Sequence, residues 1–160
     1  MARTRSCIAG NRASRIPLLT ASLASSGYPD PVICPRINVT ELGRSAPDLL
    51  VLDVDDIEVD PLELIRRTRF VLPGCTIVVY SGLLRQSWAK SCHLAGANCV
   101  LSKWSNAAQL VAGLSQALSS GSFTDPMFAQ SLLTKKDDHL PILFSSSQRN
   151  RDYFQCNTLF

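Results

Sequence analysis

Three apolar runs, each ending on a residue with chemistry, constrain this chain more than any other feature. Leu49-Leu50-Val51-Leu52 runs into Asp53, Thr76-Ile77-Val78-Val79-Tyr80 into Ser81, and Asn98-Cys99-Val100-Leu101-Ser102 into Lys103. Runs of that length and apolarity read as strands, and in open α/β folds ligands and chemistry sit at the carboxyl edge of the sheet. An acid, a hydroxyl and a lysine on three successive strand ends are what a phosphoryl-accepting aspartate needs. They supply a nucleophile, a donor to the phosphoryl oxygens and a cation. Asp53 also opens an acidic loop, Val54-Asp55-Asp56-Ile57-Glu58-Val59-Asp60.

The segments between these runs read as helices. Ser14 to Ser26 has near-helical apolar spacing, with Pro17 in its first turn and Gly27 as a stop. Asp60-Pro61-Leu62-Glu63 combines a capping Asp, a first-turn Pro and a Glu three residues after the cap. Further helices are expected from Asn38, over Leu84–Leu94, and over Ala107–Leu118, the last with an apolar stripe at 107, 110, 111, 114 and 118. Ser6–Ala9 and Pro31–Cys34 are short strands. Five strands alternating with five helices, without hairpin spacing, predict a parallel sheet with helices on both faces.

Composition narrows the class. At 160 residues, 46% hydrophobic and 18% charged, the chain suits one domain plus a tail, and no apolar run reaches the roughly 20 residues of a membrane span. The start of the chain is basic, but Asn11, Arg12, Ser14 and Arg15 interrupt its apolar stretch, which argues against a secretory signal and for the cytoplasm. A net charge of +3 is too mild for a general nucleic-acid binder. Six cysteines without a CxxC pair, and without close coupling to His93 or His139, read as core thiols rather than a metal cluster.

With those residues in place, the chain resembles the receiver domain of bacterial two-component response regulators over roughly residues 5–119. Pro47-Asp48-Leu49-Leu50-Val51-Leu52-Asp53-Val54 is similar to the family's third strand, and Val78-Val79-Tyr80-Ser81 to its fourth. Leu94-Ala95-Gly96-Ala97 through Lys103 is similar to the approach to its lysine. Separations of 28 residues from Asp53 to Ser81 and 50 to Lys103 agree with the family's spacing. The resemblance implies a flavodoxin-like, doubly wound five-stranded parallel sheet in the order 2-1-3-4-5. It implies Asp53 as phosphoacceptor candidate, with Ser81 and Lys103 contacting the phosphoryl group.

Residues 120–147 resemble the linker, with a short helix capped by Asp125, of regulators carrying a LuxR-type helix-turn-helix. Residues 148–160, with Arg149 and Arg151 as DNA-contact candidates, resemble the first helix of that DNA-binding domain. The recognition helix does not follow, so DNA binding by the chain alone is not expected.

Four departures from the family pattern bear on chemistry. The Mg²⁺-binding acidic pair is replaced by Gly10 and Asn11, or by Asn11-Arg12 with a one-residue shift. The aromatic switch position is Val100, and the proline after the lysine is Trp104. In the loop, Ile57 and Pro61 replace the usual proline and glycine. Mg²⁺ favours octahedral oxygen ligands, usually with one or two carboxylates; here Asp53 has only Asp55 as a weak helper, so weak binding or none is expected.

Three functional classes follow. The first is a pseudo-receiver that signals by protein–protein association, as a homodimer or with a full-length regulator, a histidine kinase being a further partner. Leu84, Trp88, Trp104 and Phe123 would then leave apolar area on the outer face, although both tryptophans also suit the core. The second is a truncated LuxR-type regulator. The third, disfavoured, is a phosphohydrolase using the D-x-D spacing of Asp53 and Asp55.

Overall fold

Short-range signals start three of the helices where the sequence places them. The structure, a computed structural model, describes residues 5–10 and 15–130. Asn38 accepts from the Thr40 and Glu41 amides, Asp60 from Leu62, and Asn106 closes a reciprocal capping box with Gln109. Each satisfies amides that a helix start leaves without an intrahelical partner. The elements are β1 (Ser6–Ala9), α1 (Ile16–Ser25), β2 (Val32–Cys34), α2 (Val39–Ser45), β3 (Leu49–Asp53) and α3 (Pro61–Val71). They continue with β4 (Thr76–Ser81), α4 (Gln86–Ala95), β5 (Cys99–Ser102), α5 (Ala107–Ser120), β6 (Phe123–Thr124) and α6 (Met127–Gln130).

All strand pairs are parallel, and the sheet order is β2-β1-β3-β4-β5-β6. Five of these strands keep the expected order 2-1-3-4-5. The expectation of a five-stranded sheet needs correcting, because β6 adds a sixth strand beside β5. Phe123 N–H donates to the Asn98 carbonyl at 3.0 Å and Asp125 N–H to that of Val100 at 2.9 Å. His93 ties the added strand to α4, with Nε2 2.7 Å from Thr124 Oγ1 and Nδ1 3.0 Å from the Ala97 carbonyl oxygen. The stretch from 120, read in the sequence as linker, is therefore packed against the domain as far as α6, whose Phe128 is fully buried.

Side-chain alternation along the strands builds two cores. Cys7, Leu50, Leu52, Ile77, Val79 and Val100 face α2, α3 and α4. Ile8, Leu49, Val51, Val78, Tyr80 and Leu101 face α1 and α5. With both faces covered, the central strands are apolar throughout. The buried stripe of α5 is Leu110, Gly113, Leu114 and Ala117; Leu110 and Leu114 belong to the expected stripe, Leu118 packs partly against the same core, and Gly113 and Ala117 are additions to it. Ala107 stays exposed in the first turn, which the capping box closes.

The opposite, amino-terminal edge is closed by Arg69 of α3. Its Nε donates to the Gly96 carbonyl at 3.0 Å and its Nη1 to those of Pro73 at 3.0 Å and Cys75 at 2.8 Å; Nη2 reaches Asn98 Oδ1. Among the described residues, no helix is long and apolar enough to cross a membrane.

Cys7, Cys75, Cys92 and Cys99 are buried free thiols and Cys34 is half-buried; Cys156 lies outside the described residues. Burial pushes Cys75 up to about 11 and Cys92 up to about 12 from an ordinary 9.0, and pushes Cys7 and Cys99 up as well. Raised folded values mean that stability is fully present below pH 9 and is lost as pH rises toward 12, because only the unfolded chain ionises in that window. Thermal melts should thus show a falling midpoint above pH 9. Alkylation of the native protein at pH 8, read by mass spectrometry, should modify Cys34 before the four buried thiols.

Candidate functional site

β3, β4 and β5 end side by side, in register Asp53↔Tyr80 and Ser81↔Ser102. That register brings Asp53, Ser81 and Lys103 to one carboxyl edge. Lys103 Nζ lies 2.6 Å from Asp53 Oδ1 and 3.0 Å from Asp55 Oδ2. The Asp53 and Lys103 side chains are 8% and 9% exposed, so the pair sits largely out of solvent, where a charge without its partner is costly.

Asp55 takes a different place from the one expected of a metal ligand. Its Oδ1 accepts from the Ser81 hydroxyl at 2.9 Å, and its Oδ2 accepts from the Gly82 amide at 2.8 Å as well as from Lys103. The Ser81 hydroxyl and the Lys103 ammonium, assigned by sequence to a phosphoryl group, thus converge on a carboxylate of the chain itself. The loop aims it there: Asp55 N–H donates to Asp53 Oδ1 at 3.2 Å, and Asp56 turns the backbone in the left-handed region at φ 57°. Aspartate tolerates that region better than most residues do.

Gly82 permits the approach, because a Cβ there would stand 3.2 Å from Asp55 Oδ2. Trp104 lies over the same loop, with its indole N–H donating to the Gly82 carbonyl at 3.3 Å while its side chain is mostly exposed. Arg15, at the start of α1, donates to the Lys103 carbonyl, and its guanidinium carbon is 5.7 Å from the Trp104 ring centroid. Beneath the site the Tyr80 hydroxyl is buried on the side of Arg15. Burial raises its pKa above the ordinary 10.0, and the nearby Arg15 and Lys103 charges pull the other way.

The residues expected to hold Mg²⁺ do not fit it. The Lys103 ammonium bridges Asp53 and Asp55, placing a cation between the two carboxylates a metal would need. At the end of β1, a Cβ on Gly10 would lie 2.5 Å from the Asp53 Cβ, so no carboxylate side chain is accommodated there without a backbone shift. Among the described residues, no three His, Cys, Asp or Glu side chains gather to hold a metal ion. Asn11, like Arg149 and Arg151, lies outside the described residues.

Asp125, a helix cap by its sequence, is also a positioning residue in the structure. Buried at 4% exposure, it accepts from the Ser102 amide at 3.1 Å and from the Ser105 hydroxyl, fixing the backbone on both sides of Lys103. It also caps α6 through the Met127 amide at 3.0 Å. The Asp-Pro pair signals the cap; nothing in the local sequence signals the reach back to β5. Of the expected outer-face residues, Leu84 and Trp88 pack against the α2–α4 core and Phe123 against the α1–α5 core. Trp104 remains exposed, as does Leu83 on the β4–α4 loop.

A two-component response regulator of the LuxR family from Aurantimonas sp. SI85-9A1 superposes with a TM-score of 0.66 at 20% identity, over 82% of this chain and 96% of that one. The chain has the receiver fold. The isolated receiver domain of RcsB from Salmonella enterica serovar Typhimurium gives 0.65 at 17% identity, over 80% and 97% of the two chains. A CheY-like receiver domain protein from Methanospirillum hungatei JF-1 gives 0.60 at 18% identity, over 74% and 96%. No protein-family model and no curated protein matches the sequence.

In this receiver fold the buried ion pair should dominate local stability. Lys103→Met should cost about 3–5 kcal/mol in urea unfolding, because it leaves Asp53 charged and buried without its cation. Adding Asp53→Asn should recover most of that loss, as a double-mutant cycle will read.

Proposed function

We propose that the chain is a response-regulator-like signalling module, a pseudo-receiver that acts by protein–protein association and does not depend on phosphorylation of Asp53. The observation that carries this reading is the packing of Gly10 against Asp53. By sequence the acidic pair is replaced by Gly10 and Asn11, and at Gly10 a Cβ would stand 2.5 Å from the Asp53 Cβ, which leaves no space for a carboxylate side chain there. The two acids that remain share a single lysine. Phosphoryl transfer to a carboxylate relies on positioning and on neutralising charge at the phosphoryl oxygens. A cation on a fixed side chain, already engaged by two carboxylates, supplies little of that neutralisation. Mg²⁺ accordingly binds weakly in this reading, and the site is not that of an enzyme. Asp55, which would lend a phosphohydrolase its D-x-D pair, is held by Ser81, Gly82 and Lys103 instead.

What the domain retains is a rigid scaffold and an exposed aromatic at the rim of its site. Trp104 is 64% exposed on the turn after β5, with Leu83 exposed on the neighbouring loop. Exposed tryptophans are frequent energetic anchors of interfaces. The partner in this reading is a second copy or a full-length regulator in the cytoplasm, engaged constitutively.

Acetyl phosphate with Mg²⁺ should add no phosphoryl mass at Asp53. Sedimentation at micromolar concentration should show the same association state with and without the donor, weakened by Trp104→Ala. A phosphoryl adduct lost in Asp53→Asn, or a dimer seen only with donor, would overturn the proposal.

A further inference from the structure

Resting on that non-phosphorylated reading of Asp53, we propose that Asp55 is a built-in surrogate for a bound oxyanion. Its carboxylate fills the anion position beside Asp53 and holds the β4–α4 loop through Ser81 and Gly82. Three donors of different kinds meet at this carboxylate. They are a hydroxyl from Ser81 at 2.9 Å, a backbone amide from Gly82 at 2.8 Å and an ammonium from Lys103 at 3.0 Å. A hydroxyl, an amide N–H and a lysine, all aimed at one point beside a strand-end aspartate, make a complete cradle for a phosphate-like anion. None of the three is left open, because Asp55 supplies both oxygens and the negative charge.

The chain spends backbone freedom to put it there. The Asp55 amide folds back on Asp53 Oδ1, and Asp56 adopts a left-handed turn. Gly82, by lacking a side chain, lets an oxygen of Asp55 come within hydrogen-bonding distance of its amide. The Ser81 hydroxyl passes the constraint onward, accepting from the Leu83 amide at 3.1 Å, and Trp104 closes over the Gly82 carbonyl. Strand end, loop and indole are thus ordered around an anion tethered two residues from Asp53. A free phosphate competes with that anion at the high effective concentration a short tether confers. The regulatory consequence is a β4–α4 surface fixed without a phosphodonor, and an anion site that opens only when Asp55 leaves it.

The test uses amide spectra of the full ¹⁵N-labelled chain and inorganic phosphate as the probe. Asp55→Asn, which preserves volume while removing charge, should move the Gly82 and Leu83 amide resonances. Asp55→Ala should then bind phosphate saturably, with Gly82 shifting back toward its wild-type position. Its affinity should be at least about tenfold above that of the wild type, the scale of one charge-assisted hydrogen bond. Adding Lys103→Met should abolish that binding. Asp55 lies on a loop outside both cores, so its single variants should fold, the Lys103→Met double variant is read only where its amide spectrum remains folded, and Asp55→Asn alone decides whether the carboxylate is engaged. Unchanged Gly82 and Leu83 resonances in Asp55→Asn would overturn the proposal, as would phosphate binding to the wild type as tightly as to Asp55→Ala. Neither readout needs a phosphodonor, so the result is independent of whether Asp53 accepts a phosphoryl group.

Discussion

A single ammonium group shared by two carboxylates organises the carboxyl edge of this sheet. Lys103 reaches Asp53 at 2.6 Å and Asp55 at 3.0 Å, and the rest of the site is arranged to keep that contact. Removing such a cation from a buried carboxylate costs several times what a surface pair is worth, because the remaining charge has no solvent to turn to. The second carboxylate brings the Ser81 hydroxyl and the Gly82 amide into the same network. The three strand ends are thereby joined by side chains beyond the reach of the sheet's own backbone ladder.

That network depends on structure further along the chain. β6 and α6 place Asp125 beneath the exit of β5, where its carboxylate binds the Ser102 amide and the Ser105 hydroxyl on either side of Lys103. At the opposite edge, Arg69 gathers the carbonyls of Pro73, Cys75 and Gly96. The sheet between them is buried on both faces, so neither end shifts without disturbing a packed core. Rigidity of this kind suits a module that presents a fixed surface.

Much of the fold is legible in the sequence, for identifiable reasons. Apolar runs ending on Asp53, Ser81 and Lys103 mark β3, β4 and β5 because a strand buried on both faces has no polar alternation to blur it. Asp60-Pro61 and Asn106 mark helix starts because capping is a local interaction. β6 escapes such reading: two residues in parallel pairing leave no periodicity. The α5 stripe is legible at Leu110 and Leu114 but not at Gly113, which is buried by Phe123 and Leu101 packing over it rather than by its own hydrophobicity. The juxtaposition of Asp53 with Lys103 follows from strand order. The capture of Asp55 does not, because it depends on the turn at Asp56 and on the bare α-carbon of Gly82, which only three-dimensional structure relates. Asp55 reads in sequence as a weak metal helper, yet in the structure it completes the ion network with Lys103.

In the proposed reading, Lys103 stands between Asp53 and Asp55 where a metal ion would otherwise bind, and so leaves Mg²⁺ no site. Calorimetric titration of the protein with Mg²⁺, with Trp104 fluorescence recorded in parallel as a probe of the adjacent loop, tests that claim most directly. The account predicts no saturable heat and no fluorescence change through the millimolar range, because Lys103 already bridges the two available carboxylates. Saturable binding well below millimolar, abolished by Asp53→Asn, would contradict it.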